Sequence, residues 1–127
     1  KTRGGAILNL DESTQSGSHW IACFWDGRDN GSHSVEYFDS FARAPPSDIK
    51  TDLLRIPKRL NPNQHMKLKV NGKKVQDVES VACGYHSVNF LLNRFRGKPF
   101  KSASGFNSIK KNEDKMEDLQ DRFDYLL

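Results

Sequence analysis

The sequence predicts an α+β domain in which a mainly antiparallel sheet carries packed helices. Two segments rich in aromatic and β-branched residues, His19–Trp25 (HWIACFW) and Ser34–Asp39 (SVEYFD), flank DGRDNGS, whose DG and NG pairs are hairpin turn signals. Further on, Val88, Leu91, Leu92 and Phe95 recur at i, i+3, i+4 and i+7, the spacing of one helical face. At 127 residues the chain has room for one modest core, so residues 1–127 are expected to form a single domain with a single site.

In chain order, Gly4-Gly5 and Ala6–Leu10 read as a short buried strand, and Asp11–Ser18 as a polar turn. His19–Trp25 shows little polar alternation, the pattern of a strand covered on both faces. Because one strand begins at His19 and the other ends at Asp39, antiparallel pairing brings these two residues to the same edge of the sheet. After Ala44-Pro45-Pro46, Ser47 and Asp48 are expected to cap a helix that runs to about Arg55 and is ended by Pro57. Asn61-Pro62-Asn63 is a turn, His65–Val70 (HMKLKV) a half-exposed strand and Asn71-Gly72 a tight turn. The strongest helical pattern follows, with Cys83 at its start and Phe95 near its end. Gly97–Gly105 reads as irregular, and Glu113–Leu126 as an exposed amphipathic helix carrying Met116, Leu119, Phe123 and Leu126.

Composition narrows the classes. Hydrophobic residues at 35% and charged residues at 28% describe a folded chain rather than a disordered one. No signal peptide opens the sequence and no apolar run approaches the roughly 18–20 residues of a membrane span. Two cysteines, Cys23 and Cys83, are too few for a disulfide scaffold and lack a CxxC partner for zinc, which points to an intracellular, reducing setting. The start at Lys1, without a methionine, is that of a processed or partial chain. Net charge is +4, with basic residues gathered in segments 50–74 and 94–111 and acids in the tail. Such segregation can attract polyanions through counterion release, so DNA contact through those two segments stands as an alternative to the plainer reading of a solvated basic surface.

The chemistry is carried by a joint arrangement. A thiol at a helix N-terminus is favoured as thiolate, and Cys83 has that position. Its general base needs an acceptor that fixes the tautomer, and His19 with Asp39 supplies both. The amides at the start of the helix then face a developing oxyanion. Gln76, seven residues before Cys83, is a further candidate donor, an assignment that spacing alone does not make. Singly, a cysteine is inert packing, a histidine at a strand start is a satisfied turn residue, and Asp39 is a strand-ending acid. His86 lies too close to Cys83 on the same helix to leave room for a substrate carbonyl and reads as packing or surface. His65 reads as a strand residue and His33 as a turn residue, and none of these histidines has metal-ligand spacing, so no metal site is expected.

The pieces GGAILNL, SGSHWIACFW, VEYFDSF and QDVESVACGYHSVNFLL, in this order, resemble the adenovirus protease (adenain) family of cysteine endopeptidases, especially its relatives in polinton-like and other large DNA viruses, over about residues 4–95. More distantly they resemble the SUMO-deconjugating proteases of the same clan. The resemblance implies a mixed sheet with helices on its faces and the nucleophile on a central helix. It implies the roles of nucleophile for Cys83, general base for His19, orienting acid for Asp39 and oxyanion donor for Gln76. Trp20 then lines a narrow groove that accepts small substrate residues, whereas Trp25 is core. Glu holds the acid position in the adenovirus enzyme; Asp39 follows the SUMO-protease pattern. Family members carry an N-terminal helical portion ahead of the GGAILNL-like strand, which this chain is expected to lack.

By the same resemblance the substrates are viral precursor proteins of capsid or core, cleaved after Gly-containing motifs during virion maturation, in the virion or in the host nucleus or cytoplasm. No cofactor is required, although stimulation by DNA or an activating peptide is implied. Cys23 matches no peptide-attachment site. Two rival readings keep the fold and change the role. One is a deconjugating protease for ubiquitin-like modifiers, and the other an inactive virion or nucleic-acid-binding component.

Overall fold

The computed structural model describes residues 3–10, 19–28, 34–60, 67–72, 74, 83–104, 112 and 119, with the backbone alone at 57, 58, 60 and 83. Four strands form one sheet in the order β1 (Arg3–Asn9), β2 (Trp20–Asp26), β3 (Ser34–Phe38) and β4 (Lys67–Val70). β1 and β3 both pair antiparallel with β2, and β4 joins β3 in parallel. A parallel neighbour requires a crossover, and α1 (Ser47–Leu60) lies between β3 and β4 in the chain. α2 (Cys83–Phe95) and the short α3 (Phe100–Ala103) complete the described elements.

Alternation along β2 and β3 divides the core into two layers, as a period of two requires. Ile21, Cys23, Val35 and Tyr37 meet Leu53 of α1, with Ile49, Ile56, Leu68 and Val70 around them. On the opposite face Ala22, Phe24 and Phe38 meet Phe90 of α2 and Ala103 of α3. Phe38 and Phe90 stack nearly parallel at 4.7 Å, and Phe100 meets Phe90 edge-on at 5.9 Å. Such pairs add about 0.5–1.5 kcal/mol each beyond the area they bury. The mixed sheet with helices on both faces is therefore the expected architecture, and β2 lacks polar alternation because both its faces are covered.

Several local expectations change. β1 is an edge strand, half-buried rather than buried, since only β2 pairs with it. Its Gly5 lets the strand approach α2: a methyl there would fall 2.8 Å from Leu91 and 3.2 Å from Phe95. α1 begins at Ser47 itself, where the Pro46 carbonyl accepts the Lys50 amide, so Ser47 is a helical residue and not the cap. It also runs through Pro57 to Leu60. One backbone bond is lost at the proline, but Ile49, Leu53 and Ile56 hold the preceding turns against the sheet.

The largest correction concerns α2. Its buried residues are His86, Ser87, Phe90 and Arg94, whereas Leu92 and Phe95 of the expected apolar face are each 39% exposed. Arg94 fits because Glu36 of β3 accepts from its Nε and Nη2, both at 2.7 Å, while Phe24 lies under the guanidinium. α2 ends at Phe95, and two residues on Gly97, with a φ of 90°, allows the Lys98 amide to reach back to the Asn93 carbonyl while its own amide reaches the Arg94 carbonyl. Within the segment read as irregular, α3 forms a single turn. The Asp11–Ser18 turn, His33, Asn61-Pro62-Asn63, His65, Gln76 and, apart from Leu119, the Glu113–Leu126 helix lie outside the described residues. No helix among the described residues is long and apolar enough to cross a membrane.

Candidate active site

The β2–β3 register, Ala22 opposite Phe38, sets Asp39 just past one strand and His19 just before the other. They meet: His19 Nε2 lies 2.9 Å from Asp39 Oδ1. Nε2–H donates to the carboxylate, which makes Nδ1 the basic nitrogen of the neutral ring. The Leu10 amide donates to the His19 carbonyl at 2.7 Å and extends the β1–β2 ladder to this residue. Phe41 stacks on the imidazole at 5.3 Å with 29° between the planes.

Asp39 is 1% exposed and is held from several directions. The Phe41 amide donates to Oδ1 at 2.8 Å, an Asx turn, and the Ala42 amide donates to the Asp39 carbonyl at 2.7 Å. That turn places Ala42 at φ 59°, a left-handed conformation costing about 1 kcal/mol or more for a residue with a side chain. Asn71, which follows β4, clamps the same backbone: its Oδ1 accepts the Asp39 amide at 2.9 Å and its Nδ2 donates to the Asp39 carbonyl at 2.6 Å. The parallel β3–β4 pairing is what brings Asn71 there. The sequence marks Asn71 as a turn residue, and its NG context carries no other signal. Arg43 Nε lies 3.4 Å from Asp39 Oδ2.

α2 docks against the start of β2. Ser87 Oγ donates to the Trp20 carbonyl at 3.2 Å, and a methyl on Gly84 would lie 3.7 Å from the Trp20 indole. Trp20, beside His19, therefore lies next to the residue that follows Cys83. Its 39% exposure leaves part of the ring on the surface next to the His19–Asp39 pair. Cys83 opens α2, at the end of the helix where unpaired amides gather. Gln76 lies outside the described residues. His86 is buried, in keeping with a packing role. Cys23 is buried in β2, and burial pushes its thiol up to about 12, which leaves it a protonated core residue. Among the described residues no cluster of His, Cys, Asp and Glu could hold a metal ion.

The family model described as adenovirus endoprotease matches residues 1–122. A SUMO-1 cysteine protease of African swine fever virus is 32% identical over 91 residues, covering 71% of this chain and 33% of the viral protein. The crystal structure of a protease from African swine fever virus superposes with a TM-score of 0.71 at 26% identity, over 87% of this chain and 40% of that one. ChlaDub1 of Chlamydia trachomatis gives a TM-score of 0.57 at 17% identity, over 83% of this chain and 46% of its own, a likeness of fold. The chain spans about a third of the length of the relatives it matches.

Proposed function

The chain belongs to the adenovirus endoprotease family, and on that footing we propose that it is a cysteine endopeptidase working through Cys83, His19 and Asp39. What supports this reading is the 2.9 Å bond between His19 and Asp39 at the end of the sheet where α2, beginning at Cys83, packs on Trp20. His19 Nδ1 takes the Cys83 thiol proton, and the thiolate attacks the peptide carbonyl carbon while the carbonyl electrons move to oxygen. Amides at the start of α2, with the Gln76 side chain, stabilise that oxyanion. Collapse of the intermediate breaks the C–N bond, His19 protonates the departing amine, and a thioester remains. Water deprotonated by His19 attacks the thioester, releasing the acid and returning the proton to sulfur. Asp39 keeps the imidazole in the reactive tautomer and stabilises its charged form.

The substrates of this reading are viral precursor proteins, cut after Gly-containing motifs that fit beside Trp20. DNA, held by segments 50–74 and 94–111, or an activating peptide stimulates the reaction without being required. A second reading, removal of ubiquitin-like modifiers, is favoured by the relative named a SUMO-1 cysteine protease. Incubation with a Gly-X-Gly viral peptide and a ubiquitin-like conjugate in parallel separates the two, since faster release of the modifier selects the second. Cys83→Ala is expected to abolish cleavage with an unchanged circular dichroism spectrum; processing by that folded variant overturns the mechanism. Mass mapping after a thiol electrophile is expected to find the label on Cys83 and not on Cys23. Labelling of Cys83 no faster than of free cysteine identifies an inactive member.

A further inference from the structure

One cation is in direct contact with the acid of the proposed triad. Arg43 Nε lies 3.4 Å from Asp39 Oδ2, while His19 Nε2 lies 2.9 Å from Oδ1. Arg43 is not the main anchor of Asp39. The Phe41 amide fixes Oδ1, and Asn71 binds the Asp39 amide and carbonyl together. Arg43 itself is half exposed and rests on the Phe41 ring at 5.4 Å, the ring that stacks on His19. Removing its charge would leave the Phe41 and Asn71 bonds to Asp39 and the His19–Asp39 bond available, and Arg43→Met keeps an unbranched side chain over the Phe41 ring.

We propose that Arg43 is a positioning residue for the proton on His19: by sharing the Asp39 carboxylate it weakens the hold of that acid on the imidazolium, so that His19 is a free base at lower pH. This rests on the reading of His19 as general base. The other groups around the pair do not duplicate the effect. Lys74 has the same sign, but its ammonium sits over the Phe41 ring at 5.5 Å. Tyr37 of β3 is a buried phenol pushed up by burial and by Asp39, hence neutral. Cys23 of β2 is likewise neutral. The titratable residues of α2 are Cys83, Tyr85 and the buried His86. Arg43 is paired with Asp39, whereas Lys74 rests on the Phe41 ring.

The test follows the His19 ring by NMR through a pH titration in the wild type, Arg43→Met, Arg43→Lys and Arg55→Met, the last removing an exposed charge of α1 paired with Asp52. The midpoint is expected to move to higher pH in Arg43→Met, to return in Arg43→Lys and to stay in Arg55→Met. In parallel, kcat/KM of Arg43→Met is expected to fall about threefold on the acid limb and to match the wild type on the plateau, the size of effect a partly exposed pair delivers. An unmoved midpoint in Arg43→Met, no return in Arg43→Lys, an equal rise in Arg55→Met, or a loss confined to the plateau overturns the proposal. If the wild type cleaves no peptide or conjugate, the peptidase reading fails, and the NMR titration still decides the role of Arg43.

Discussion

Glu36 lies inside β3 and Asp39 one residue past its end, and neither carboxylate reaches solvent. Glu36 is closed: Arg94 occupies both oxygens at 2.7 Å, and Ser34 adds a bond to one of them at 3.3 Å. Asp39 gives one oxygen to a histidine and the other to a half-exposed arginine at longer range. Arginine does not release its proton at any ordinary pH, whereas histidine does so near neutrality. The first arrangement ties α2 to the sheet. The second can pass a proton, because one of its partners titrates.

Asp39→Asn tests the second acid most severely. An amide cannot compensate an imidazolium and can select the wrong tautomer, so kcat/KM is expected to fall by about three to four orders of magnitude. Thermal unfolding should change less than in the next variant, and activity within tenfold of the wild type would break the contrast. Arg94→Met addresses the first acid, leaving the Glu36 charge buried without its cation. A loss of about 3–5 kcal/mol in urea unfolding is expected, with most of it recovered in Glu36→Leu/Arg94→Met. Failure of the double variant to recover would mean that the pair does more than satisfy itself.

A third acid, Asp26 at the other end of β2, sharpens the comparison with the smallest effect. Arg28 donates to it from Nε at 3.0 Å, from Nη2 at 2.9 Å and from its amide at 3.1 Å. The Arg28 side-chain bonds hold the Asp26 carboxyl below its ordinary range. A lowered folded-state value contributes stability above the unfolded value of about 4, and that contribution is lost as pH falls through the folded value. Arg28→Gln should therefore flatten the acid side of the stability profile below about pH 4 and lower neutral stability slightly. A steeper acid loss in Arg28→Gln would contradict the assignment.

The hairpin and the meeting of His19 with Asp39 were legible because antiparallel register follows from turn position and from a strict period of two. Cys83 at a helix start was legible from the apolar spacing behind it. The face of α2 was legible only in part: Leu91 packs on the core and Phe95 meets Phe24 edge-on at 5.2 Å, while Leu92 is exposed. Periodicity chose Val88, Leu91, Leu92 and Phe95, yet Arg94 is buried by a partner 58 residues away and Ser87 by a carbonyl 67 residues away. Pro57 likewise looked like a stop, and packing of Ile49, Leu53 and Ile56 overrides it.

By itself the sequence determined the local elements and the pairing of neighbouring strands, since both depend on side-chain periodicity and turn chemistry within a few residues. It also carried the family resemblance that assigns roles to His19, Asp39, Cys83, Gln76 and Trp20. The tertiary structure alone decided which polar groups could be buried. Asn71 reaches Asp39 through a parallel pairing across a helix, Arg94 reaches Glu36 from α2 to the sheet, and Arg43 shares the Asp39 carboxylate with His19. A charged or amide side chain enters a core only when a specific partner meets it there, and no local pattern in the chain encodes where that partner will be.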